Sequence, residues 1–256
     1  MSTTIRDATV TFGAEYGALL VPIERRIAHY LQRNCYTPLI GAVTPVPLRG
    51  TTLPSLHDEV MAIKAPFHLV LTDLGEGNIM DGFLRNCIHV VSCSIFAPKI
   101  TRIGSSFLRD CTSLSSFDTS GLKSVTTIAD DFIGRCTSLS SFDTSGLTSV
   151  TTIGGYYLLD CTSLSSFDTS GLTSVTTIGD DYLRNCTSLS SFDTSGLTSV
   201  TTIGDYYLAG CTSLSSFDTS GLTSVTTIGD SYLGGCTSLT AQPTAKDVLE
   251  GRLGPE

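Results

Sequence analysis

The chain has 256 residues, a net charge of −9, 24 Gly, nine Cys and no Trp, with 41% hydrophobic and only 15% charged residues. That much apolar content with so little charge excludes a disordered tail. A sequence pI near 4.8 argues against a nucleic-acid module, because phosphate neutralisation needs a clustered Lys/Arg surface.

The opening residues, MSTTIRDATVTFGAEYGALLVPIERR, lack a basic stretch followed by an apolar run, so no secretory signal is legible. No run of 18 apolar residues occurs, and no membrane span is expected. The expectation is a cytoplasmic protein with reduced cysteines; the alternative is a cell-surface or secreted adhesin whose targeting signal is missing from this chain. Pro22 at a first helical position, followed by Ile23, Ile27 and Leu31, predicts an amphipathic helix over 22–34. Residues 37–54 contain four prolines and read as a loop, and the run Phe67-His68-Leu69-Val70-Leu71 is apolar enough to shield the first coil of a repeat array. Residues 1–61 are therefore expected to form an N-terminal region that acts as a cap.

From residue 62 a repeat emerges. Ile100, Ile103, Phe107, Leu108 and Cys111 hold the same offsets as Val125, Ile128, Phe132, Ile133 and Cys136, so 62–110 reads as degenerate copies. Cys111, Cys136, Cys161, Cys186, Cys211 and Cys236 then recur every 25 residues, and 111–239 is an array of near-identical units such as CTSLSSFDTSGLTSVTTIGDDYLRN. A period of this length signals a solenoid. Within a unit, SFDT (141–144) alternates out and in as a short strand, Ser145-Gly146 supplies the turn, and YYLLDC (156–161) looks like a helical turn. One unit alone cannot bury enough apolar surface, so stacking is required and the strands must be parallel. The tail, 240–256, carries Thr244 and Asp247 at N-cap spacing before Val248, Leu249 and Leu253.

The pattern CxxLxxFxxxxxLxxVxxIGxxYL resembles the BspA-like subclass of leucine-rich repeats, in particular repeat proteins of protists, including kinetoplastids. That resemblance covers 111–239 strongly and 62–110 weakly. It implies a right-handed, leucine-rich-repeat-like solenoid with one short parallel strand per repeat and short helical or irregular back segments. It also implies a role in protein or surface recognition, not catalysis. The 25-residue unit is slightly longer than is usual for the subclass.

Stacking turns each recurrent residue into a column. The six array cysteines would point every sulfur the same way, whereas zinc needs ligands converging from several directions. They read as a structural ladder of buried thiols. Asp118, Asp143, Asp168, Asp193 and Asp218 follow the strand Phe and point outward, with Ser116, Ser141, Ser166, Ser191 and Ser216 on the same face. This face is the candidate binding surface for a protein partner of basic character. A calcium site is the weaker reading, since calcium gathers several oxygen ligands in one loop. FDTSG does not fit an aspartic protease, which sets two carboxylates to share one proton. No histidine follows His89, so a hydroxyl nucleophile would have to borrow His29, His57, His68 or His89 from the N-terminal part. No enzyme, cofactor or metal is expected.

Overall fold

The structure is a computed structural model that describes residues 35–39, 46–49, 52–72, 74–241 and 243–249. The helix expected at 22–34 lies outside the described residues. Where the sequence reads as a loop, the structure has β1 (Cys35–Pro38), β2 (Val46–Pro47) and the start of α1 (Leu53–Met61). The prolines did not forbid these elements: Pro38 ends β1, and Pro54 stands in the first helical turn, where no N–H is needed. Thr52 caps α1 through a reciprocal exchange with Ser55, and Leu56 and Val60, four apart, turn the helix onto the core.

The solenoid is the expected one, with parallel coils of 25 residues in the array. β3 (Phe67–Leu71), β5 (Val90–Phe96) and β7 (Ser116–Gly121) pair in parallel, and β1 joins β3 antiparallel. Each coil also holds a second strand segment that the sequence reading did not separate. β4 (Gly77–Ile79), β6 (Ile100–Ile103) and β8 (Thr127–Ile128) open this column. The Thr-Ile pairs 152–153, 177–178, 202–203 and 227–228 continue it into one seven-stranded sheet. The Ser-Phe column is regular only in pairs, Ser141–Phe142 with Ser166–Phe167 and Ser191–Phe192 with Ser216–Phe217.

Leu139, Phe142, Leu147, Val150, Ile153, Tyr157, Leu158 and Cys136 all point inward and are 0–2% exposed. Their equivalents make one continuous core from Leu48 to Cys236. The inner aromatic column stacks face on, with Tyr157–Tyr182 centroids 5.2 Å apart and Tyr182–Tyr207 5.3 Å apart. Phe142 and Phe167 stack at 5.9 Å and meet the tyrosines edge on. Such contacts add to area burial.

The segment expected to be a helical turn is not helical. Three residues per coil take left-handed backbone, for example Tyr156 (φ 61°), Leu158 (φ 54°) and Asp160 (φ 56°), alternating with ordinary ones. Each costs about 1–2 kcal/mol for a non-glycine residue. Hydrogen bonds between coils hold them: Tyr156 N–H donates to Asp180 O at 2.7 Å, Leu158 N–H to Phe132 O at 3.0 Å and Asp160 N–H to Arg184 O at 2.9 Å. At the first such coil, Leu84 N–H donates to His57 Nδ1 of α1 at 3.0 Å. An imidazole there accepts the bond that a preceding coil's carbonyl accepts elsewhere. At the other end, Thr244 and Asp247 exchange bonds at the start of α2 (Ala245–Leu249), and Val248 packs on the core.

Candidate functional site

The strand face is built by one short motif. In SFDTSG the Ser is exposed, the Phe is inside, the Asp is outside and the Thr is inside. Ser116, Ser141, Ser166, Ser191 and Ser216 are all exposed, as are Asp143, Asp168, Asp193 and Asp218, while Asp118 is half-buried. Each carboxylate is fixed by an Asx turn. Asp143 Oδ1 accepts from Ser145 N–H at 2.7 Å and its Oδ2 from Ser145 Oγ at 3.0 Å. Asp168, Asp193 and Asp218 repeat the pair of bonds, and Asp118 accepts from Ser120 N–H at 3.0 Å. The aspartates therefore close the turn after each strand as well as charging the face.

The following Thr bonds across coils where the strand ladder lapses. Thr144 Oγ1 donates to Asp168 O at 2.9 Å and accepts from Gly171 N–H at 3.0 Å. Thr119, Thr144, Thr169 and Thr194 are 0–2% exposed; Thr119 repeats both bonds of Thr144, and Thr169 and Thr194 accept from Gly196 N–H and Gly221 N–H at 3.1 and 2.9 Å.

The cysteine column is a different device. The six array thiols are buried and free, and each Sγ donates to a left-handed residue's carbonyl in an earlier coil, from Cys111 to Leu84 O at 3.1 Å through Cys236 to Leu208 O at 3.2 Å. Burial pushes the Cys161 and Cys211 thiols up to about 12 and raises Cys111, Cys136, Cys186 and Cys236 as well. Such thiols are poor nucleophiles and poor metal ligands. Among the described residues, no group of three or more His, Cys, Asp or Glu converges as a metal site.

The slots that vary between copies form a ridge of cross-coil polar contacts. Arg109 pairs with Asp131 and Arg135 with Asp160, Asn185 Nδ2 donates to Asp160 Oδ1 at 2.9 Å, and Arg184 lies 4.6 Å over the Tyr206 ring.

Sequence reasoning missed one residue that joins the strand face. His68 is in register with Ser92, and Ser92 with Ser116, so the serine column runs back into a histidine; Val70, Ser94 and Asp118 form the neighbouring column. His68 Nδ1 lies 2.5 Å from Ser92 Oγ, the ring is 6% exposed, and burial holds its pKa below the usual value. The alternation in Phe67-His68-Leu69-Val70-Leu71 was the available signal, since it sends His68 and Val70 outward.

The profile described as "BspA type Leucine rich repeat region" matches in six copies, over residues 77–165 and 126–248. Among solved structures, the chain is similar to a leucine-rich repeat protein of T. pallidum, with 20% identity over 73% of this chain and 86% of that one and a TM-score of 0.50. A leucine-rich cell surface protein of Faecalibacterium prausnitzii aligns at 18% identity over 69% of this chain and 49% of that one, with a TM-score of 0.38. At 20% identity the likeness to the T. pallidum protein concerns the fold. No curated protein sequence matches. No helix of the described residues is long and apolar enough to cross a membrane.

Proposed function

The chain belongs to the BspA-type leucine-rich repeat family, and from that premise we propose that it is a non-enzymatic interaction module presenting its Ser/Asp strand face to a basic protein partner. One observation carries the reading: exposed carboxylates recur once per coil at Asp143, Asp168, Asp193 and Asp218, each held in one orientation by its own turn. Coils stacked at strand-like spacing bring like charges within ~5–6 Å of one another, where they repel. A polycationic segment relieves that repulsion and gains from several rungs at once. We place the module in the cytoplasm, a compartment that keeps nine buried cysteines in the thiol form.

The test replaces Asp118, Asp143, Asp168, Asp193 and Asp218 together by Asn. Asparagine keeps the Oδ1 acceptor of each Asx turn, so the fold is expected to be retained, with equal or higher thermal stability. Affinity for an octalysine peptide is expected to fall at least about tenfold at low salt, since several charge pairs are lost. Octalysine binding unchanged by the substitutions would remove the strand face as the binding surface.

A further inference from the structure

We propose that the N-terminal end of the strand face is an anchor pocket for an arginine side chain of the partner, with the Asp118 carboxylate as its counter-charge and His68 Nε2 as an acceptor. The inference rests on the strand-face reading and adds where the partner is gripped and by which side chain.

A cavity of about 540 Å³ opens here, with His68, Ser92, Ser94, Ser116 and Asp118 among its polar lining and Leu39 and Phe117 among its apolar walls. The columns explain why it forms at this end. Later coils present Ser and Asp to solvent, whereas strands β3 and β5 place His68, Ser92 and Ser94 at the equivalent positions, all buried. His68 Nε2 is buried with no hydrogen-bond partner among the described residues, and leaving a buried polar atom unpaired costs about 1–3 kcal/mol. A buried atom of this kind calls for a partner, and the arginine side chain supplies one.

The sign of the ligand follows from the lining. With Nδ1–H donating to Ser92 Oγ, Nε2 is an acceptor. The opposite tautomer would make Nε2 a donor suited to an anion, but Asp118 on the same wall repels an anion. A cation with several donors fits both groups. A planar guanidinium can meet an imidazole nitrogen and a carboxylate together, and its stem can lie along Leu39 and Phe117. A lysine ammonium offers a single, strongly hydrated point of charge.

The experiment titrates N-acetyl-arginine-amide into the full chain and follows the backbone amide resonances of Ser92, Ser94 and Ser116. Saturable shifts are expected, stronger than with N-acetyl-lysine-amide and absent with N-acetyl-glutamate-amide. D118N, which keeps its turn acceptor, should weaken binding about tenfold, as loss of a charge-assisted bond does, and H68Q provides an independent second variant. A D143N/D168N/D193N/D218N variant should keep arginine binding while losing octalysine affinity, which separates the pocket from the rest of the face. No saturable shift, equal binding of the glutamate probe, or affinity unaltered in both D118N and H68Q would overturn the pocket. Octalysine loss in the four-site variant would still leave the strand-face reading standing.

Discussion

Replacing Gly171 by alanine is expected to destabilise the solenoid by about 4–5 kcal/mol, in the range reserved for severe core defects. The added methyl would lie 1.7 Å from Thr144 O and 2.4 Å from Thr144 C, in the coil before. Both are backbone atoms, tied to the next coil through Thr144 Oγ1, so no rotamer change relieves the overlap. The coils must separate, and separation loses the aromatic stacking and the Thr-Ile ladder together. Gly146, Gly196 and Gly221 face the same carbonyl at 1.7–1.8 Å, so each copy keeps its glycine for close approach. Gly134 is the control. A methyl there meets nothing nearer than 3.7 Å, so Gly134→Ala should be neutral or stabilise by about 0.4–1 kcal/mol. Urea unfolding of the two variants decides; equal midpoints would refute the close approach.

The second expectation is a steep loss of stability above pH 9. Burial raises the Cys87 thiol to about 11 and Cys161 and Cys211 to about 12, from an ordinary value of 9.0, and raises the other array thiols too. The folded state thus holds thiol protons that the unfolded chain releases first. This contribution is complete below pH 9 and is lost as pH rises toward 11–12. Each thiol held by the folded state alone removes about 1.36 kcal/mol per pH unit. Cys87, Cys161 and Cys211 together give on the order of 4 kcal/mol per unit, and the buried Tyr157, Tyr182 and Tyr207, also raised, steepen the fall above pH 10. Cooperative unfolding between pH 9 and 11, followed by circular dichroism, is the expected result. Cys161→Val should make the slope shallower by one proton. Stability that stays level to pH 10.5 would contradict the buried-thiol ladder.

The coil itself was legible because repetition exposes the core: a position kept apolar in every copy, such as Leu139 or Val150, faces inward in every coil. The outward Ser and Asp followed from strand alternation. Structure with no periodic signal stayed hidden. The Thr-Ile strand is two residues long in each array coil, too short for alternation to register. The left-handed segment is occupied mostly by residues such as Tyr, Leu, Asp and Arg; Gly210 and Gly235, standing where other copies have Asp160 or Asn185, and Gly82, in the slot of Ser106, are what hint at positive φ. The α1 helix begins inside a proline-rich stretch whose capping box uses Ser55 where the familiar signature has Glu or Gln. The cavity at His68 depends on register between β3 and β5, which includes a bulge between Phe67 and His68. Sequence separation alone does not reveal that shift.

Each 25-residue coil of the array is an interchangeable unit that contributes one rung to a continuous core and one charge to the binding face. Deleting residues 161–185, which joins Asp160 to Cys186 in register, tests this most directly. The expected product is a folded chain that melts in one cooperative transition, is one coil shorter by scattering, and binds octalysine more weakly but measurably. A deletion that leaves the chain unfolded, while the full-length protein remains folded, would contradict the interchangeability of the coils.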